Sequence, residues 1–132
     1  MRYMVDTNIC IYLIKRKPPH ALDRLRALPV EDVVVSSITA AELEYGIAKS
    51  SRPEQNRDAL NAFLAPLEVL PFDYQAAIHY GVIRRGLERR GQVIGSMDLL
   101  IAAHARSLSL TLVTNNLREF RRVPELSVEN WA

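Results

Sequence analysis

The chain has 132 residues, 48% hydrophobic and 24% charged, and its 17 basic and 15 acidic side chains leave a net charge of +2. That is the length of one domain over residues 1–132, with apolar material for one real core and a composition that excludes disorder. No apolar run nears the ~20 residues that span a bilayer, Asp6 comes too early for a signal peptide, and the single cysteine excludes an intrachain disulfide and any zinc-finger spacing. The expected setting is therefore cytoplasmic, with no membrane.

Tyr3-Met4-Val5 is a short apolar run ending at Asp6, read as the first strand. Ile9, Tyr12 and Leu13 then fall on one helical face, and Lys15-Arg16-Lys17-Pro18-Pro19 closes that helix with cations and a proline stop. Cys10, inside this apolar stretch, reads as a buried thiol. Ala21 to Leu28 predicts a second short helix. Asp32 to Ser36 is the clearest strand, β-branched and apolar enough to be buried on both faces. Thr39 to Lys49 and Pro53 to Leu64 return to helix, and Leu67 to Leu70 is a short strand before Pro71. A long helix from Tyr74 to about Arg90 ends at Gly91, and Ser96 to Leu108 is so apolar that it predicts a buried helix. Leu110 to Thr114 is a strand, and Leu126-Ser127-Val128 a final edge strand. Strands alternate with helices and no Asn-Gly or Asp-Gly hairpin joins two of them. The expected fold is α/β, with βαβ crossovers, a parallel sheet and helices on both faces.

In such sheets ligands bind beyond the C-terminal ends of the strands. Asp6 ends the first strand, and Thr114-Asn115-Asn116 ends the last clear one. Glu42 stands near the start of the helix after the second strand, and Asp98 in the first turn of the apolar helix. Each acid also has an ordinary use. Asp6 suits an N-cap, Thr39 and Glu42 have capping-box spacing, Asp98 complements a helix dipole, and Glu119 lies in a basic, solvated-looking segment. As a group they ask for more. Two bare carboxylates ~4 Å apart repel by roughly 4 kcal/mol at an effective dielectric of ~20, so such a cluster holds protons or a cation. Hard oxygen donors without a cysteine or histidine set select Mg²⁺ or Mn²⁺ over zinc. These ions orient a water, lower its pKa and stabilise charge on a leaving oxygen, which is phosphoryl chemistry. Setting aside Asp6, Glu42, Asp98 and Glu119 leaves 17 basic against 11 acidic side chains, a balance of +6 that suits a polyanion.

These residues resemble a known family. Tyr3-Met4-Val5-Asp6-Thr7-Asn8 resembles the opening of PIN-domain nucleases, Ser36 to Gly46 their second acidic motif, and Ile94 to Ala105 their third. Leu112-Val113-Thr114-Asn115-Asn116 through Glu119-Phe120, Arg122-Val123-Pro124 and Glu129-Asn130-Trp131 resemble the C-terminal segment of the VapC toxins of type II toxin–antitoxin pairs. The resemblance runs along the whole chain in order. It implies a PIN-like three-layer α/β/α sandwich with a central parallel sheet and a Mg²⁺- or Mn²⁺-dependent endoribonuclease. It also implies a homodimer, a VapB-type antitoxin partner and a larger toxin–antitoxin assembly. Its C-terminal segment is of the type found in members that cut initiator tRNA in the anticodon region. Asp6, Glu42 and Asp98 match the family's three acidic metal-site positions. Where many PIN domains carry an acid soon after the last strand this chain has Asn115 and Asn116, and Glu119, one helical turn on, is the candidate fourth acid. In this reading Asp6 and Asp98 are the principal ligands, Glu42 and Glu119 serve a second ion or its waters, and Thr7 and Asn8 orient Asp6 or a metal-bound water, with Thr114 and Asn115 in the same supporting role.

Water attacking phosphorus in line predicts 5′-phosphate and 3′-hydroxyl ends. His20, His79 and His104 lack the pairing that a 2′-hydroxyl mechanism needs, and His104, in the apolar helix, reads as a core residue. Arg84, Arg85, Arg118 and Arg121 are the candidate RNA contacts, with Lys15-Arg16-Lys17, Arg89-Arg90 and Arg122 as further basic groups. Tyr45, Phe72, Tyr80 and Phe120 read mainly as core. Two alternatives stand beside this. One is a catalytically inactive PIN-fold module that binds RNA or protein; the other is a phosphoacceptor receiver domain. The second lacks its aspartate, since Val35 leads into Ser36-Ser37, and its lysine, since Asn115-Asn116 stands in that place. Nothing in the acids themselves excludes DNA as substrate.

Overall fold

The computed structural model describes residues 2–132. In chain order its elements are β1 (Tyr3–Val5), α1 (Thr7–Lys15), α2 (Pro19–Arg26), a 3-10 turn at Val30–Asp32, β2 (Val33–Ser36), α3 (Ser37–Ala48) and α4 (Pro53–Leu64). There follow β3 (Glu68–Leu70), α5 (Tyr74–Arg89), α6 (Ser96–Ser107), β4 (Thr111–Val113), α7 (Leu117–Phe120) and β5 (Val128–Glu129). Among the described residues the strands form one five-stranded sheet in the order β3-β2-β1-β4-β5, and every pairing is parallel. The expected alternation of strand and helix is thus realised as crossovers. The element bounds differ from the sequence reading by a few residues, as at β5, which begins at Val128 rather than Leu126.

The period of two along each strand divides the side chains between two layers. Met4, Val34 and Leu112 pack on the α5, α6 and α7 side with Ile83, Leu87, Ile101 and Phe120. Val5, Val33, Val35 and Val113 point the other way, against Ile9, Cys10 and Leu13 of α1, Leu43 and Ile47 of α3, Leu60 of α4, and Trp131. Helices therefore cover both faces, which is the three-layer α/β/α arrangement. The valine run of β2 is wholly buried because both its faces are covered. Cys10 and His104 are buried, as expected. Gly91 ends α5 with φ +65°, and the N–H groups of Gly91 and Gln92 close the last turn onto Glu88 and Leu87.

Tyr45 does not join the core. It is 65% exposed on α3 with the Lys49 ammonium 4.9 Å from its ring centroid, because α3 turns Leu43 and Ile47 inward and position 45 falls on the opposite face. Tyr74, Ile78 and Val82 likewise form an exposed apolar stripe along α5. No helix of the described residues is long and apolar enough to cross a membrane.

Trp131 closes the α1–α4 layer near the chain's end. It is buried beside Tyr3, its indole N–H donates to Glu129, and the Arg24 guanidinium, ion-paired with Glu129, lies over its ring. Trp131→Ala is expected to cost about 3–5 kcal/mol of unfolding free energy by urea titration. A loss below ~1 kcal/mol would show that the terminus is not part of the cooperative core.

Candidate active site

The sheet's C-terminal edge gathers the acids. Asp6 directly follows the central strand; its N–H donates to the Val113 carbonyl (3.0 Å) and its Oδ1 caps α1 by accepting from the Ile9 N–H (3.0 Å). The capping role expected for it is real, and it coexists with a place in the cluster. Thr114, buried just after β4, donates its hydroxyl to the Asp6 carboxylate and accepts from the Asn116 N–H (2.9 Å). On the neighbouring strand Ser36 caps α3 through Ile38 N–H (3.0 Å). The helix therefore starts before Thr39, the Thr39–Glu42 capping box does not form, and Glu42 stands inside α3 rather than in its first turn. There its Oε1 accepts from the Thr7 hydroxyl at 2.5 Å. Asp98 lies in the first turn of α6, whose N-cap, Gly95, offers no side chain. Glu119, on α7, accepts through Oε2 from the Asn116 amide (2.9 Å).

The four carboxylates feel one another. Burial pushes the Asp6 carboxyl from 3.8 up to about 6; Thr114 and Ile9 N–H pull it down, while Asp98 and Glu42 push it further up. Asp98 is raised as well, first by burial and then by Glu119 and Glu42. Asp98 thus feels both Glu42 and Glu119, and Asp6 feels Asp98 and Glu42. Cys10 beneath them has its thiol pushed well up by burial and by Asp6, which keeps it protonated and inert.

This donor set fits a hard divalent cation. It holds carboxylate, hydroxyl and amide oxygens, and each acid's charge is a cost until a cation offsets it. The Asn115 Oδ1 is buried without a hydrogen-bond partner, an oxygen free to meet an ion or its water. Among the described residues no three His, Cys, Asp or Glu side chains form a ready-made cage. An open set of this kind suits Mg²⁺, which takes one or two carboxylates and keeps several waters.

Not every predicted site residue joins in. Thr7 reaches Glu42 rather than Asp6. Asn8 is exposed, and among the described residues no hydrogen bond ties its side chain to an acid. Asn115 donates its amide to the Tyr12 hydroxyl (2.8 Å). Tyr12 and Asn116 are residues the sequence reading left out of the site. The spacing of Asn116 and Glu119 carried a local signal, whereas nothing in the sequence links Tyr12 to Asn115. Of the basic candidates, Arg84 is engaged by the Tyr80 hydroxyl (2.8 Å) and Glu88 (3.3 Å), and Arg85 lies 3.8 Å from Glu88. Arg118 and Arg121 flank Glu119, are exposed, and form no ion pair among the described residues. Beside the acids an apolar cleft of about 280 Å³ runs between α1, α3 and α4, lined by Ile11, Ile14, Leu43, Ile47 and Leu60 with Glu42 and Lys15 at its rim.

The chain as a whole is similar to proteins of a known family. The PIN domain profile matches residues 3–126. Ribonuclease VapC2 of Rickettsia felis is 46% identical over 132 residues, covering 99% of this chain and 98% of the relative. The tRNA(fMet)-specific endonuclease VapC of Salmonella typhimurium is 48% identical over 131 residues, with the same coverage. Among solved structures, VapBC2 from Rickettsia felis bound to a promoter DNA fragment matches with TM-score 0.95 at 45% identity over 100% of both chains. DNA-bound VapBC from Salmonella typhimurium matches with TM-score 0.94 at 47% identity, over 100% of this chain and 99% of that one.

The raised Asp6 carboxyl makes a stability prediction with a definite sign. A proton binds Asp6 more tightly in the folded chain than in the unfolded one, so its stabilising contribution is complete below pH ~3.8 and is lost as pH rises through about 6. Asp6→Asn keeps the cap and removes the charge. In metal-free buffer at pH 7.5 it is expected to gain about 2–3 kcal/mol, and to flatten the decline in melting temperature between pH 5 and pH 7.5. An unchanged pH slope in the variant would place the cost elsewhere.

Proposed function

The chain belongs to the PIN-domain family, among its VapC ribonucleases, and from that premise we propose that it is a metal-dependent toxin endoribonuclease that cuts a tRNA in its anticodon region. The observation that carries this reading is the cluster of Asp6, Glu42, Asp98 and Glu119 at one end of the parallel strands, with the Asp6 and Asp98 carboxyls raised by burial and by their neighbours. Asp6 and Asp98 would hold a Mg²⁺ or Mn²⁺ ion, and Glu42 and Glu119 a second ion or its waters. A divalent ion there supplies Lewis acidity to a water and to the leaving oxygen.

The chain's own residues do the positioning. Thr7 fixes Glu42, Thr114 fixes Asp6, and Asn116 fixes Glu119, so each of these three carboxylates is held by a neighbouring hydrogen bond. Phosphate is received from the side where Arg118 and Arg121 stand unpaired; such contacts give affinity rather than sequence preference. Target choice then rests on the shape and splayed bases of a folded RNA loop. Initiator tRNA is the proposed target, supported by the named specificity of the Salmonella relative.

The partner is a VapB-type antitoxin, supported by the likeness to VapBC complexes. The apolar cleft with Glu42 at its rim suits an antitoxin segment that fills it with apolar side chains and offers a cation to the acids. A homodimer completes the proposed assembly, with the exposed Tyr74, Ile78 and Val82 stripe as available surface, and the setting is cytoplasmic.

The test is cleavage of total tRNA by the antitoxin-free protein with Mg²⁺ or Mn²⁺ and then with EDTA, the new ends being mapped. Cuts confined to one anticodon loop, with 5′-phosphate ends and loss in EDTA, are expected; cyclic-phosphate ends or cleavage undiminished by EDTA would overturn the metal reading. Asp98→Asn is expected to abolish cleavage in a folded protein. Arg118→Ala and Arg121→Ala should each weaken RNA binding and lower the salt slope by about one, while Arg84→Ala, already engaged by Tyr80 and Glu88, should change the slope less.

A further inference from the structure

The polar side chains buried in the core outside the four acids include Ser36 and His104. Ser36 ends β2 and His104 lies on α6; they are 0% and 1% exposed, and the Ser36 Oγ stands 2.8 Å from the His104 Nδ1. The surroundings of His104 on α6 are apolar, with Ile101, Ala102, Ala103 and Ala105 fully buried. An apolar pair of similar volume would fill this space without desolvating a hydroxyl and an imidazole. What the polar pair adds is direction.

One lone pair of the Ser36 Oγ accepts from the Ile38 N–H, which caps α3. With the hydroxyl proton directed at the Nδ1, the pair is satisfied by a neutral His104 carrying its hydrogen on Nε2, the tautomer that the test below reads. Burial lowers the affinity of the ring for a second proton, against the pull of Asp73. Phe72 packs edge-on against the ring at a centroid distance of 5.6 Å, and the Phe72 N–H donates to the Ser37 Oγ at 2.9 Å. The start of α3, the loop after β3 and the middle of α6 are thereby tied at one point.

Those two helices carry two of the acids: Glu42 follows Ser36 along α3, and Asp98 precedes His104 on α6. We propose that the Ser36–His104 hydrogen bond is a buried clamp that sets the spacing of Glu42 and Asp98, making His104 and Ser36 positioning residues for the metal site. The inference rests on the metal-dependent reading above and deepens it. The Asp98 carboxyl already feels Glu42, so a small rotation of either helix alters the pair that faces the cation. Partners that hydrogen-bond directly to a metal ligand typically govern affinity by roughly 10–100-fold. This pair acts one step further out, through the helices that carry the ligands, so the lower end of that range is expected.

The test compares Ser36→Ala, His104→Leu and His104→Asn, the last keeping an acceptor near the place of Nδ1. Mn²⁺ affinity without RNA is read by calorimetry, the ring tautomer by ¹⁵N NMR, and folding by circular dichroism and thermal melting. The expected result is an Nε2–H tautomer in the unaltered chain and Mn²⁺ binding weakened about tenfold in His104→Leu. In His104→Asn, affinity should be substantially recovered even if the melting temperature is not. Unchanged affinity in folded His104→Leu overturns the clamp, as does an equal loss in Leu and Asn variants that follows melting temperature. If His104→Leu does not fold, Ser36→Ala decides by the same affinity measurement. A folded, unaltered chain that binds no Mn²⁺ overturns the metal site itself, an outcome distinct from failure of the clamp.

Discussion

The structure depends on one junction, the step from the central strand into α1 at Asp6. Its N–H completes the pairing of β1 with β4, and its Oδ1 satisfies a donor at the start of the helix. Its carboxyl is buried as a result, because the strand before it and the helix after it are both covered. A residue so constrained cannot move away from its neighbours. The repulsion from Asp98 and Glu42 is therefore carried by the fold rather than relieved by it.

The other parts of the edge answer this constraint. Thr114, Thr7 and Asn116 each direct a hydrogen bond at one acid, and none of them brings it a positive charge. The arrangement holds negative charge in place while leaving it unneutralised, which lowers the stability of the bare fold near neutral pH and favours a divalent cation. The surrounding balance of +6, once these acids are set aside, lies outside the cluster. The chain can attract a polyanion while keeping an acidic centre, because basic side chains such as Arg118 and Arg121 stand exposed beside the acids.

Much of this was legible in the sequence for local reasons. The valines of β2, the apolar run of α6 and the glycine stop after α5 are properties of neighbouring residues, so pattern reveals them. The same holds for the acids that end a strand or open a helix. Where the reading slipped, a competing local explanation was available. Thr39 and Glu42 have capping-box spacing, but Ser36 was the better cap because it stands at the strand's end and reaches Ile38 N–H. Tyr45 looked like core by composition, yet the face of α3 was decided by Leu43 and Ile47.

By itself the sequence determined the alternating strand–helix order and the parallel sheet that follows from it, and it marked Asp6, Glu42 and Asp98 as candidate site acids. These are set by periodicity and by residue type. Only the tertiary structure decided which polar groups serve which acid, that Asn115 meets Tyr12, that Asn8 faces outward, and that Ser36 meets His104 across the core. Such contacts join residues far apart in the chain, and their geometry is fixed by how helices settle on a twisted sheet, a property no local pattern records.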